Sequence, residues 1–104
     1  NELGQSAQAL SSLNAVRARA RAGNNAILPD VTTTNKDDLR AAIWHERRVE
    51  LAMEFDRFFD LVRQGRAATV LGSKGFVAGK NEVWPIPQNE IDLSAGVLTQ
   101  NAGY

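Results

Sequence analysis

The sequence predicts a mainly α-helical chain in which two helices precede a loop-rich, partly extended C-terminal segment. Three observations predict this fold class. Apolar residues recur at steps of three and four over the first 22 residues, no glycine or proline interrupts residues 35–64, and both residue types punctuate the chain from Gly65 onward. Steps of three and four are the period of one helix face, whereas glycine and proline mark turns.

The first helix is expected over about residues 6–22. Its apolar positions are Ala7, Leu10, Leu13, Val16 and Ala20. Gly23 and Asn24 tolerate a left-handed conformation, and Pro29 prevents an early return to helix. The helix should therefore end at about Gly23.

The second helix is expected over about residues 35–64, with Asn35 as its N-cap and Asp38 near the positive end of the helix dipole. Apolar groups fall on two sides of this helix, which predicts burial between neighbouring elements. One side carries Trp44, Arg48, Leu51, Phe55, Phe58, Phe59 and Val62, and the other carries Leu39, Ile43 and Leu61. Because each large apolar side chain contributes ~1.5–3 kcal/mol when buried, packing should decide the stability of this helix.

An irregular strap is expected over residues 66–104. Within it, Trp84-Pro85-Ile86-Pro87 must be extended or polyproline-like, because each proline restricts the residue before it and lacks an amide donor. Trp84 has two interpretations: a platform on which a sugar ring stacks, or a plug in the core. The residues that flank it favour the plug.

Composition restricts the function classes. The 104 residues, 43% of them hydrophobic, suit one compact domain. Twelve basic and twelve acidic residues give a formal net charge of zero, so nucleic acid is not an expected partner. Cysteine is absent, which excludes disulfides and thiolate chemistry but leaves the compartment open.

The chain begins Asn1-Glu2-Leu3-Gly4, without an initiator methionine, a basic leader or a lipidation signal. No apolar run approaches the ~20 residues of a membrane span. We therefore expect a portion of a longer protein, in which any signal peptide or lipid anchor would lie upstream.

Two motifs that point to ligand chemistry are incomplete. His45-Glu46 resembles half of a zinc-protease motif, but Val49 stands where the second histidine would lie. The segment 75–81 resembles a phosphate loop, but three residues separate its glycines where four are required, and Asn81 replaces the hydroxyl that binds magnesium. We predict no metal site and no cofactor.

Charged residues are expected to form ion pairs or a solvated face. The acidic residues of the second helix lie near arginines that would keep them ionised, whereas a glycosidase needs two carboxylates across a cleft. They are Glu46, Glu50, Glu54, Asp56 and Asp60. Arg17 and Arg21 lie together on the first helix, with Arg19 on the other side, and should pair with acidic neighbours. No catalytic residue is predicted, and the protein is not expected to be an enzyme.

Five ordered motifs resemble the carboxy-terminal region of the SusD/RagB family of glycan-binding outer-membrane lipoproteins. The first three are Leu13-Asn14-Ala15-Val16-Arg17-Ala18-Arg19-Ala20, then Leu39-Arg40 with His45-Glu46-Arg47-Arg48-Val49-Glu50-Leu51-Ala52, then Arg57-Phe58-Phe59-Asp60-Leu61-Val62-Arg63. The last two are Gly79-Lys80 with Glu82-Val83-Trp84-Pro85-Ile86-Pro87, and Leu98-Thr99-Gln100-Asn101 with Gly103-Tyr104. Four positions depart from the family's usual residue: Phe55 replaces glycine, Gln64 tryptophan, Asn81 histidine and Ala102 proline.

The resemblance implies a mostly helical, tetratricopeptide-like scaffold, tethered by an amino-terminal lipid to the extracellular face of a Bacteroidota-type outer membrane. It implies a non-catalytic protein of polysaccharide utilisation that binds an oligosaccharide and delivers it to a TonB-dependent, SusC-like transporter. Residues 1–104 would be the carboxy-terminal portion of such a domain, acting as structural scaffold with the rest of its own chain as a partner. No ligand-binding residue is carried over, because the family's ligand contacts lie mainly outside this portion.

The alternative function is a helical-repeat scaffold that binds proteins and has no sugar site. Its groove would be the helix face around Arg48, Phe55 and Phe59. For the glycan-binding interpretation we expect the second helix to lie in the interior of the protein, with Phe55, Phe58 and Phe59 covered by neighbouring elements.

Overall fold

The computed structural model describes residues 1–104 and contains five α-helices, one 3-10 turn and no β-strand. The helices are α1 (Ser6–Arg21), α2 (Lys36–Glu50), α3 (Arg57–Arg63), α4 (Ala67–Leu71) and α5 (Gln88–Leu93), and the 3-10 turn is Gly72–Lys74. The prediction of a mainly α-helical, loop-rich chain is confirmed. The chain divides into two compact units, residues 1–54 and 55–104. No helix combines the length and the apolarity that crossing a membrane requires.

The first unit is a helical pair, in which α1 and α2 bury Leu13 and Leu39. As predicted, α1 ends close to Gly23: its last residue is Arg21, and its C-cap Ala22 and then Gly23 lie in the left-handed region at φ 47° and 89°. The N-cap of α2 is also confirmed, because the Asn35 side-chain oxygen accepts hydrogen bonds from the amides of Asp37 and Asp38 at 2.9 and 3.1 Å. These bonds satisfy two of the free amides that begin every helix.

The connection between α1 and α2 is held by side chains of α1. The Asn14 amide group donates to the Val31 carbonyl, and its oxygen accepts from the Val31 amide, both at 2.9 Å. This paired contact satisfies both backbone groups of Val31, as a neighbouring strand would. The connection therefore has a fixed path although it lacks secondary structure.

The second unit is built on α3 and α4, which bury Leu61 and Ala67. The turn between them uses Gly65 at φ 67°, and the Arg66 amide closes it by donating to the Leu61 carbonyl at 2.8 Å. Residues 84–87 lie outside every helix, and Pro87 has the predicted polyproline-like conformation, with φ −55° and ψ 135°.

The prediction of one helix over about residues 35–64 is wrong, because the helix stops after Glu50 and resumes at Arg57. Met53 and Phe55 in the break adopt φ of 70° and 63°, and their side chains are almost fully exposed. Helices in proteins are stabilised mainly by packing of an apolar face, which these exposed residues do not supply. Periodicity misses the break because no glycine or proline marks it.

The prediction of an irregular strap over residues 66–104 is also partly wrong, because α4, the 3-10 turn and α5 lie within it. These helices have five or six residues, which is too short for an apolar stripe to recur. The expectation that Phe55, Phe58 and Phe59 are covered fails as well. Phe55 is 91% exposed and Phe59 is 66% exposed, whereas Phe58 is half-buried.

Candidate functional site

The second unit contains an aromatic cavity of about 470 Å³, which we name the Trp84 cleft. Its lining consists of Phe58, Phe59, Asn81, Val83, Trp84 and Tyr104. The volume lies within the range of about 300–1,000 Å³ typical of small-molecule sites. None of the lining side chains carries a formal charge at neutral pH.

The backbone around Trp84 is fixed by two side-chain amides from the end of the chain. Asn101 donates from Nδ2 to the Trp84 carbonyl at 2.6 Å. Gln100 donates to the Ile86 carbonyl and accepts from the Ile86 amide, both at 2.8 Å. The two prolines that flank Ile86 restrict the same segment further.

The Trp84 ring itself is 81% exposed. The interpretation of Trp84 as a core plug is therefore wrong for this structure. The flanking prolines and the amides of Gln100 and Asn101 constrain the backbone of the segment, but they do not place the indole in the interior. The result is an open aromatic surface on a rigid support.

Phe58 and Phe59 form the wall contributed by α3. Their ring centroids lie 5.8 Å apart at an interplanar angle of 80°, an edge-to-face arrangement. Phe58 also approaches Phe76, with centroids 6.3 Å apart. Edge-to-face pairs are favourable because the positive ring edge meets the negative face. Phe58 thus anchors the wall in the unit while Phe59 remains open to solvent.

Polar groups lie at the edge of the cleft. The Tyr104 hydroxyl donates to the Val83 carbonyl at 3.0 Å, and the Lys80 Nζ lies 4.6 Å from the centre of the Tyr104 ring. The Asn81 side-chain oxygen accepts from the Val77 amide at 2.6 Å. Asn81 therefore closes a turn, and Lys80 lies over an aromatic ring. Neither residue forms part of a phosphate loop.

A second cavity, of about 390 Å³, lies in the first unit between the two helices, and we name it the α1–α2 groove. Its lining is mostly apolar and consists of Ala9, Ser12, Leu13, Val16, Ile43, Glu46, Arg47, Glu50 and Leu51. Both glutamates come from α2, and they pair with arginines of α1. They do not form the two opposed carboxylates that hydrolysis of a glycoside requires.

The other charged candidates are placed as follows. Arg17 pairs with Glu46, Arg19 with Glu50 and Arg21 with Asp30, so the prediction of ion pairs for the three arginines is confirmed. Asp60 is buried and pairs with Arg63 at 2.9 Å. His45 is exposed, and no group of three or more histidine or acidic side chains is arranged to hold a metal.

Comparison of the sequence with known proteins identifies its family. Residues 1–77, about three quarters of the chain, match the model described as the SusD family. The chain belongs to the SusD family. Two curated relatives from Formosa agariphila support this membership: SusD-like protein P2 is 33% identical over 95% of the chain, and SusD-like protein P38 is 36% identical over all of it.

The chain spans about a fifth of the length of these SusD-like relatives, 21% of each. No solved structure matches the chain significantly. The motifs that predicted the SusD family lie mainly on elements that the structure uses for support. They include the Arg17 and Glu46 pair, the buried Leu39 and Leu61, and the amides of Gln100 and Asn101.

Proposed function

We propose that this chain is the carboxy-terminal portion of a non-catalytic surface protein that binds oligosaccharides during polysaccharide utilisation. The match of residues 1–77 to the SusD family carries the proposal. The names of the two Formosa agariphila relatives, both SusD-like proteins, support it. The protein would lie on the extracellular face of the outer membrane, attached only through an upstream lipid anchor.

The bound oligosaccharide would pass to a TonB-dependent transporter of the SusC-like kind. The segment described by this structure would act mainly as scaffold, in contact with the rest of its own chain. Its ion pairs between helices and its side-chain clamps on loops suit that role, because they fix backbone positions without offering a reactive group. Nucleic acid is not a proposed partner, in keeping with the zero formal charge.

A binding protein and an enzyme give different results with the same sugar. Isothermal titration calorimetry of the protein that carries this segment, with a panel of neutral oligosaccharides, should give reversible saturation. Analysis of the same samples should find no new reducing ends. Release of reducing ends from the bound sugar would overturn the proposal.

A helical scaffold that binds proteins is the second candidate, and the apolar α1–α2 groove favours it. Grooves between paired helices accept the apolar face of a third helix. A protein of this kind would bind no oligosaccharide, so the calorimetry separates the two candidates. Its sequence upstream would also show repeated helical pairs without an export signal.

A further inference from the structure

We infer that the Trp84 cleft is a sugar-binding subsite that stacks one ring of a neutral oligosaccharide on the Trp84 indole. This inference rests on the proposed function for the class of ligand, and goes beyond it by assigning a site and residues. Three features of the second unit carry it: an open aromatic surface, a rigid support and a polar edge.

The open surface is the combination of Trp84 and Phe59, which are 81% and 66% exposed and line the same cavity. A pyranose ring has a face made of C–H groups, which packs against the flat face of an aromatic ring. Indole is the largest such face among the side chains and carries the strongest negative potential at its centre. Exposure of two aromatic rings at one cavity therefore matches the apolar side of a sugar.

The rigid support is the clamp that Gln100 and Asn101 place on residues 84–86. A ligand that binds to a fixed segment does not have to order it, and this lowers the entropic cost of binding. Phe58, packed against both Phe59 and Phe76, gives the wall formed by α3 a similar anchor. The Trp84 and Phe59 rings, which would meet the sugar, stay exposed on these supports.

The polar edge supplies partners for sugar hydroxyls. The Asn81 side chain lines the cleft and uses its oxygen within the protein, which leaves its amide group to donate to a ligand. The Tyr104 hydroxyl donates to Val83 and retains lone pairs that can accept. The lining itself has no carboxylate or cation, and the Lys80 ammonium beside it lies over the Tyr104 ring.

The test uses the 104-residue chain with an α-1,4-linked and a β-1,4-linked glucose hexasaccharide as probes. Calorimetry compares the unsubstituted chain, Trp84→Ala, Trp84→Phe and the control Leu93→Ala, which removes another exposed apolar side chain that does not line the cleft. Circular dichroism melts of each variant check that it is folded. Trp84→Ala should weaken binding of at least one probe about tenfold or more, which corresponds to ~1.4 kcal/mol.

Trp84→Phe should recover part of the affinity, because it keeps an aromatic face, and Leu93→Ala should leave it unchanged. Equal binding by the unsubstituted chain and Trp84→Ala would overturn the inference, as would binding of neither probe by the chain. The proposed function has its own readout in the longer protein. If that protein binds sugar and Trp84→Ala has no effect there, because another segment covers the cleft, the inference fails while the proposed function stands.

Discussion

Arg17 and Glu46 form a nearly buried ion pair that joins α1 to α2, with 2.6 Å between Nη1 of the arginine and Oε2 of the glutamate. Only 13% and 11% of the two side chains are exposed. The same guanidinium donates from Nε and Nη2 to the Pro29 carbonyl at 3.0 and 2.8 Å. One side chain therefore fixes both the helical pair and the connection between its helices.

Removing either partner leaves the other charge buried without compensation. Arg17→Ala and Glu46→Ala should each lower the free energy of unfolding by about 3–5 kcal/mol. Arg17→Ala should cost more than Glu46→Ala, because it also leaves the Pro29 carbonyl without its donors. Urea denaturation measures both, and the double variant should be about as unstable as Arg17→Ala alone.

Arg19→Ala is the matched control, because Arg19 pairs with Glu50 on the same two helices but 69% of its side chain is exposed. An exposed ion pair contributes about 0–1 kcal/mol. A loss for Arg19→Ala as large as that for Arg17→Ala would show that burial is not what makes the Arg17 pair important.

Leu39 is the best-buried side chain of the first unit, with no exposed surface. Leu39→Ala should lower the free energy of unfolding by about 2–5 kcal/mol, the sum of lost apolar burial and the remaining cavity. Leu3→Ala, at an exposed position of the same unit, should change it by less than about 0.5 kcal/mol. Thermal or urea unfolding compares the two, and equal effects would contradict the described core.

Phe55 lies at φ 63° with 91% of its side chain exposed. The left-handed region costs a residue with a Cβ about 1–2 kcal/mol, and glycine avoids that cost. Phe55→Gly should therefore stabilise the chain by about 1 kcal/mol despite the greater freedom of glycine in the unfolded state. Phe55→Ala keeps the Cβ and should give no comparable gain. Destabilisation by Phe55→Gly would indicate that α2 continues through this position.

Glu2 accepts two hydrogen bonds from Arg40, from Nε at 2.6 Å and Nη2 at 2.7 Å. These bonds, with the nearby charge of Lys36, hold the pKa of Glu2 below its ordinary value of 4.5, while the pair raises the pKa of Arg40. The folded chain thus binds a proton at Glu2 less readily than the unfolded chain. The contribution is present above the ordinary pKa and is lost as the pH falls through the lower, folded pKa.

Glu2→Gln should therefore lower stability slightly at pH 7 and flatten the decline of stability in acid. Arg40→Ala should flatten the decline of stability in acid in the same way, because it removes the cause of the pKa shift of Glu2. Urea unfolding at several pH values below 6 measures this. If stability declines in acid as steeply in both variants as in the unsubstituted chain, the pair does not persist in solution. High salt should weaken the effect, because the carboxylate is exposed.

Sequence reasoning found the elements whose signals are local. The glycine after α1, the Asn35 cap and the period of three and four residues each act within one or two turns of helix, and the structure has all three. The break at residues 51–56 was missed, because its left-handed residues are methionine and phenylalanine. The replacement of the family's usual glycine by Phe55 is the one signal that could have located it.

The candidate site was recognised only in part. Trp84 was identified as either a platform or a plug, and the prolines around it favoured the plug. The backbone that carries the exposed indole is held by Gln100 and Asn101, which lie 14 to 17 positions further along the chain. Contacts between amides so far apart leave no periodic signal in a sequence. For the same reason, the sequence predicted an ion pair for Arg17 but did not identify its partner Glu46, which lies 29 positions away.

The most direct test of the account follows the two indole N–H signals of the chain by NMR, with a soluble nitroxide as the probe of exposure. Trp84 should be broadened more strongly than the half-buried Trp44, and a glucose hexasaccharide that binds should shift and protect Trp84 while leaving Trp44 unchanged. Equal broadening of the two signals, or no response of Trp84 to either hexasaccharide, would contradict the open, sugar-binding cleft.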